Sequence, residues 1–219
     1  MNRDVLLEQG VAALESGEAK QALDLFNKAQ DKSDFSTEVE TLIAEAHEAL
    51  GRHEDAIASL QKVIAADPDD LDARYALGDL LFEMSRFDQA RDVYQDIVIT
   101  FPDEADAWVS VGLVDFHQGN IDASIVSYEK ALALSPDSTF ALNSLGDARF
   151  SKGDVEGALS TFKSVIDLDP EDPQAHYNLA EMYYDNEDLN QAEASCLKAL
   201  ECDPSFSYAY LTLGNLYPV

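Results

Sequence analysis

Prolines stand at Pro68, Pro102, Pro136, Pro170 and Pro204, each 34 residues from the next. A period of that size constrains the fold more than any local pattern, because one small unit must be stacked on copies of itself. Ten residues after each proline comes a small residue: Gly78, Gly112, Gly146, Ala180 and Gly214, with Ala44 and Gly10 in the same frame upstream. Twelve further on stand Ala22, Ala56, Ala90, Ser124, Ala158 and Ala192. Four more residues reach Phe26, Leu60, Tyr94, Tyr128, Phe162 and Cys196. The frame divides the chain into units at about 3–36, 37–70, 71–104, 105–138, 139–172 and 173–206, followed by a half unit at 207–217. No linker or low-complexity stretch interrupts them, so a single array over 1–219 is expected.

Each unit reads as two helices. In 139–170, Leu142, Leu145 and Ala148 recur at helical spacing, and Gly153 can take the left-handed conformation that ends a helix. A second helix carries Ala158, Leu159, Phe162, Val165 and Ile166, until Pro170 stops it. Acids after the prolines, such as Asp69, Asp70 and Asp172, fall near the positive end of the next helix. Lys28, Lys62, Lys130 and Lys198 come late in second helices, where the negative end favours a cation. The small residues let paired helices approach closely, and the aromatics fill the gap.

This pattern resembles the tetratricopeptide repeat: 34 residues, helix–turn–helix, small residues in both helices, an aromatic late in the second, then proline. The clearest unit is 105–138, with Trp108, Val111, Gly112, Ser124, Tyr128, Ala131 and Pro136 in matching places. Departures are Gln9 and Asp34 in the first unit, and His47, Asp115 and Arg149 where a large apolar residue or tyrosine is usual. They are expected to weaken single interfaces. The resemblance implies an all-α, right-handed superhelical solenoid of antiparallel helix pairs, with the first helices lining a concave face that binds other proteins.

By resemblance, that face holds Tyr75, Asp79 and Phe82, then Leu113 and Phe116. It continues through Asn143, Asp147 and Phe150, then Tyr177, Glu181 and Tyr184. The segments "GDLLF", "GDARF" and "AEMYY" each set an acid and an aromatic three apart, on one side of a helix. No Lys or Arg falls among the mapped positions. Such a face suits a basic or amphipathic protein segment, with cation–π contact from Arg worth about 0.5–2 kcal/mol. Two plainer readings compete: the acids only solvate the surface, and the aromatics pack sideways on the next first helix.

Composition narrows the partners. The net charge of −29 opposes nucleic acid and anionic membrane and favours basic partners, although solvation in high salt would also account for it. No apolar stretch approaches the ~20 residues of a membrane span, the N-terminus lacks signal-peptide order, and the cytoplasm is the expected compartment. Cys196 and Cys202 lack CxxC spacing and read as reduced and structural. A carboxylate clamp of the kind some family members use needs inner-face cations that are missing here. His47, His53, His117 and His176 form no metal-ligand motif, and His176 occupies the slot of Trp108, which points to packing. No phosphate loop or nucleophilic triad is present, so neither an enzyme nor a cofactor is expected.

In the half unit, "SYAYLTLGNLY" supplies a first helix without its second. Tyr210, Leu213, Gly214 and Tyr217 would receive the missing helix. A longer array of which this is a piece, a second copy packed on this end, a partner that covers it, and Tyr210 and Tyr217 folded back over the preceding unit compete to explain it, and self-association through this end, as a homodimer, is the alternative reading of function.

Overall fold

The computed structural model of the chain describes residues 2–30 and 35–216, and Asp34 and Tyr217 fall outside them. Among the described residues there are thirteen α-helices and no strand: α1 Arg3–Glu15, α2 Ala19–Ala29, α3 Thr37–Ala49, α4 His53–Ala66, α5 Leu71–Glu83, α6 Phe87–Thr100, α7 Ala105–His117, α8 Ile121–Leu134, α9 Thr139–Lys152, α10 Val155–Leu168, α11 Pro173–Asp185, α12 Leu189–Cys202 and α13 Ser207–Leu216. The chain forms two compact units, 1–97 and 98–219.

Helix starts follow from the acids and serines around the prolines. Asp70 accepts from Ala73 N at 2.9 Å, and Asp172 accepts from Gln174 N at 2.8 Å and Ala175 N at 3.1 Å. Ser138 does the same for α9. Each satisfies an otherwise orphaned N–H, worth roughly 1 kcal/mol. The turn inside each pair repeats as well. Gly17, Gly51, Gly119 and Gly153 all have positive φ, and Ser85 and Glu187 adopt the same left-handed conformation in the same register. Glycine takes that conformation freely, whereas a residue with Cβ is strained there.

Pairing rests on a contact between a residue without a side chain and a ring. Phe26 lies over Gly10, Tyr94 over Gly78, Tyr128 over Gly112 and Phe162 over Gly146, and all four rings are buried. A Cβ built on Gly112 would fall 2.5 Å from a ring carbon of Tyr128. Where alanine replaces the glycine, the opposing residue shrinks: Ala44 is matched by Leu60, and Ala180 by Cys196.

In the first unit, Phe26 centres a core with Leu6, Leu23, Val39 and Ile43. In the second, Tyr128 packs with Val109, Ala141 and Leu145, and Phe162 packs with Leu179 and Met182. A third cluster joins Ala180, Cys196, Ala199 and Ala209.

The slot four residues before each small residue is filled in several ways, and each has a partner. Glu40 is 2.7 Å from Lys62, Arg74 pairs with Asp96, and Lys130 sits 3.9 Å above the Trp108 ring. In all three the partner lies 22 residues on. Burial alone would raise the Glu40 carboxyl, but hydrogen bonds from Lys62, Ser59 and Gln30 hold it below the usual range. Arg74 also donates to the Pro68 carbonyl at 2.7 Å, His176 Nε2 to that of Pro170 at 3.0 Å, and the Tyr210 hydroxyl to that of Pro204 at 3.3 Å. His176 is therefore a packing residue, as its slot implies.

Of the departures expected to weaken interfaces, Arg149 and Asp115 have partners, while the buried Nδ1 of His47 has no hydrogen bond. Arg149 donates to Thr161 at 2.8 Å and to Glu129 at 3.1 Å, tying α9 to both α10 and α8. His47 lies 3.8 Å from Asp55, and desolvation holds its imidazole below the usual range. Asp115 is buried with a partner of its own.

The glycine–ring contact predicts a contrast. Gly112→Ala should lower stability by about 1–3 kcal/mol, through overpacking against a buried ring. Gly214→Ala, where a Cβ meets nothing within 4 Å, should leave stability unchanged or slightly higher. Urea midpoints of the two variants against the parent check this.

Candidate functional site

Within the second unit the first helices α7, α9, α11 and α13 form one row, each touching the next. The two cations on these helices turn toward second helices. Arg149 reaches Glu129 and Thr161, and Lys152 lies 2.7 Å from Asp122 on α8. What this row leaves open is carboxylate, amide and aromatic. Leu113, Asn143, Asp147, Phe150, Tyr177, Glu181 and Tyr184 belong to this unit, whereas Tyr75, Asp79 and Phe82 belong to the first.

Acids follow the small residue at Asp79, Asp147 and Glu181, and the residue fifteen further on differs from one to the next: Tyr94, Phe162 and Cys196. In the first unit the Tyr94 hydroxyl donates to Asp79 at 2.5 Å. Burial and that bond push the Tyr94 phenol well above its ordinary value. Asp79 is therefore bound to the protein itself. In the second unit the residue matching Tyr94 is Phe162, which has no hydroxyl. Asp147 accordingly has no hydrogen-bond partner among the described residues, and its side chain remains exposed. Partial desolvation by the surrounding helices, followed by the negative charge of Glu181 on α11, raises its carboxyl to about 6.

The Tyr177 hydroxyl lies near Glu181 and Thr212. Burial and then Glu181 push the Tyr177 phenol up to about 12 and the Cys196 thiol up to about 11. Cys196 is buried and Cys202 half-buried, and both are free. At Leu113 the acid is absent, and burial, then the charges of Asp147 and Asp115, push the Tyr128 phenol well above its ordinary value.

The aromatic stripe is less open than the sequence pattern suggested. Phe82 stacks edge-on against Phe87 at 5.3 Å. Phe116 packs on the Val109–Tyr128–Leu145 core, and Phe150 on the Phe162–Leu179 core. Tyr75 lies 6.5 Å from Tyr94, and Tyr177 lies 5.4 Å from Phe206. Sideways packing thus accounts for much of the stripe, with each of these rings half-buried. The open rings are Tyr184, Phe140 at 60% exposure and Tyr208 at 61%. Phe140 and Tyr208 lie 68 residues apart in the frame, at the same register.

An amide network runs along the seam of α9 and α11. Asn143 Nδ2 donates to Asp172 at 3.1 Å, Asp172 caps α11 at Gln174, and Gln174 Nε2 donates to Asn178 Oδ1 at 2.6 Å. Two buried atoms of this network have no partner: Oδ1 of Asn143 and Nδ2 of Asn178. Local periodicity carries no signal for Asn178, which is 7% exposed and lies off the mapped face.

At α13, Tyr208, Tyr210 and Leu211 are exposed. Leu213 is half-buried against the Ala180–Cys196 cluster, so it belongs to the covered side rather than to the open one. Among the described residues, no group of His, Cys, Asp and Glu is arranged to hold a metal.

Two helices per 34-residue unit, with the glycine seated under a ring, define a helical repeat protein. Tetratricopeptide repeat models match residues 47–110, 105–138, 146–187 and 173–206, and the chain belongs to that family. Its fold is that of a protein–protein interaction scaffold, a class ordinarily without catalysis. No curated protein matches the chain. Among solved structures, a tetratricopeptide repeat protein from Parabacteroides merdae ATCC 43184 has a TM-score of 0.83 at 16% identity, over 98% of this chain and 85% of that one. MamA of Desulfovibrio magneticus RS-1 has a TM-score of 0.66 at 22% identity, over 77% of this chain and 95% of that one. A thermophilic repeat protein of Thermus thermophilus has 0.66 at 18% identity, over 83% and 98%. At these identities the likeness is one of fold.

The raised Asp147 carboxyl sets a pH dependence of stability. Its pKa in the fold, about 6, exceeds the ordinary 3.8, so ionising it costs stability. That cost is absent at low pH, grows as pH rises from about 4 to about 6, and is complete above. Asp147→Asn should therefore stabilise the protein at pH 7, by up to about 1 kcal/mol given solvent screening, and change little near pH 4. Urea unfolding at both pH values measures it; an equal effect at both would refute the assignment.

Proposed function

We propose that the α7–α9–α11–α13 face of the second unit holds a segment of another protein that carries Lys or Arg beside apolar anchors. The observation that carries this reading is the direction of the charges. Arg149 and Lys152 are drawn away to α8 and α10, while Asp147 and Glu181 stay on the face with the open rings of Phe140, Tyr184 and Tyr208. A cation arriving there meets no competing cation, and an apolar side chain meets exposed ring surface. The −29 net charge steers basic partners in and keeps nucleic acid and anionic lipid away. Among the described residues no helix is long and apolar enough to cross a membrane. The reading assigns the chain a cytoplasmic adaptor role without a cofactor.

A peptide of alternating Lys and Leu, about twelve residues long, is a suitable probe. Its affinity should fall steeply between about 50 and 500 mM NaCl, as the Debye length drops below about 10 Å. A Ser–Leu analogue should bind at least about tenfold more weakly. Equal affinity for both peptides, or no binding of the basic one, counts against the function.

A second reading, self-association through α13, is favoured by the exposed Tyr208, Tyr210 and Leu211 and by the open side of Gly214. Because Leu213 is part of the core, Leu211→Glu is the informative variant. Sedimentation should show concentration-dependent dimers for the parent and a monomer for the variant; monomers in both dispose of this reading.

A further inference from the structure

The junction between α2 and α3 is built differently from those that follow it. At three later junctions the side chain six residues after the frame proline donates to that proline's carbonyl: Arg74 to Pro68, His176 to Pro170 and Tyr210 to Pro204. Before α3 the frame places Asp34 instead of proline, and the residue six further on is Glu40, which has no proton to donate when ionised. Gln30, at the end of α2, closes this junction. Its amide oxygen accepts from Ser36 N at 3.3 Å, and its Nε2 donates to the Ser36 carbonyl at 3.4 Å and to Glu40 Oε2 at 3.0 Å. Lys62 Nζ, from α4, donates to the other oxygen of the same carboxylate at 2.7 Å. Three helices thus meet on one carboxylate that is 4% exposed. Lys62 is largely in water already, so breaking the pair leaves the uncompensated charge on Glu40. Opening the α2–α3 seam is the movement that returns it to water. Among the described residues α1 and α2 touch the rest of the chain chiefly through α3, so the hairpin can leave as one piece. The apolar part of the same seam is Phe26 with Val39 and Ile43.

We infer that Gln30, Glu40 and Lys62 form a latch: the α1–α2 hairpin stays docked on α3 while the Glu40 carboxylate holds Lys62, and it comes away as one piece, baring Val39 and Ile43, when that charge pair is broken. Burial alone would raise the Glu40 carboxyl, and the hydrogen bonds of the latch hold it below the ordinary value, so the docked state favours the ionised form. The contribution of the latch is therefore complete at neutral pH and is lost as pH falls through that lowered value. The charged or titratable groups that face Glu40 are Lys62 from α4 and His47 on α3 itself. From α2 comes the amide of Gln30, and from α4 also the hydroxyl of Ser59.

Hydrogen exchange of the full chain at pH 7, read peptide by peptide by mass spectrometry, tests this. Lys62→Met keeps the aliphatic stem and should speed exchange of α1 and α2 by about a hundredfold. Glu40→Gln should speed it by about tenfold, and neither variant should change α7 to α12. Glu40→Leu combined with Lys62→Met removes both partners and should restore most of the protection that Lys62→Met loses. After correction for intrinsic exchange, the gap between the parent and Glu40→Gln should close as pH falls below about 4, because Glu40 is then neutral in both. Circular dichroism checks that each variant folds; if Lys62→Met does not, Glu40→Gln and the pH series carry the test. Equal loss of protection in α3 and α4 would mean that the pair stabilises the whole unit, and there is then no latch. Unchanged exchange in α1 and α2, or a gap that persists below about pH 4, overturns it as well.

Discussion

The rest of the structure depends on a ring seated where a Cβ is missing. Paired helices in this fold come close only because Gly10, Gly78, Gly112 and Gly146 leave room for Phe26, Tyr94, Tyr128 and Phe162. The two pairs without glycine keep the distance by shrinking the other side, Leu60 against Ala44 and Cys196 against Ala180. Once that contact sets the separation, every other cross-helix pair falls into register. The slot four residues before the glycine meets the residue 22 further on, as a Glu–Lys pair, an Arg–Asp pair or a Lys over a Trp ring. The chemistry of that pair is interchangeable because packing has already fixed its position, and each version removes a charge or a ring from water.

The same contact decides what becomes of the surface acids. The residue after the glycine is carried beside the edge of the seated ring, so a tyrosine there can bond it and a phenylalanine cannot. Asp79 and Asp147 belong to near-identical sequences, "GDLLF" and "GDARF", yet one accepts a hydroxyl and the other accepts nothing. The difference is a single oxygen atom, fifteen residues away on the partner helix. A choice about core packing thereby decides which carboxylate is hydrogen-bonded within the chain and which is not.

This explains what could and could not be read from the sequence. The period, the helix pairs, the capping acids and the left-handed turn at Gly153 follow from local patterns that each unit repeats, and all are present. The role of His176 follows from comparing units, since the slot of Trp108 must be filled by something that packs. Exposure was harder. Phe82, Phe116 and Phe150 occupy one register, but whether each stays open depends on neighbours such as Phe87 and Leu145, on other helices. Arg149 stands where an apolar residue is usual, and its partners Thr161 and Glu129 come from two other helices, which local spacing does not reveal. Asn143 and Asn178 stand out in the sequence only as the asparagines of a clamp whose cations are missing; that each carries an unpaired atom is a property of the packed interior and not of spacing.

Acidity and function then separate. A surface with 43 Asp and Glu against 14 Lys and Arg is well solvated wherever its carboxylates lie, so their abundance says little about any one site. The scarce cations say more. Lys62, Arg74, Lys130, Arg149 and Lys152 are each held by a specific partner, and the structure uses them to join helices. A carboxylate that stays unpaired among so many acids gains nothing from its neighbours and is raised by them, as Asp147 is by Glu181. Solvation alone would favour moving such a group outward, away from like charge and from helices that exclude water. Its place beside Glu181 is therefore set by the packing of α9 against α11 and not by solvation, and the cost falls on the ionised form of the carboxyl.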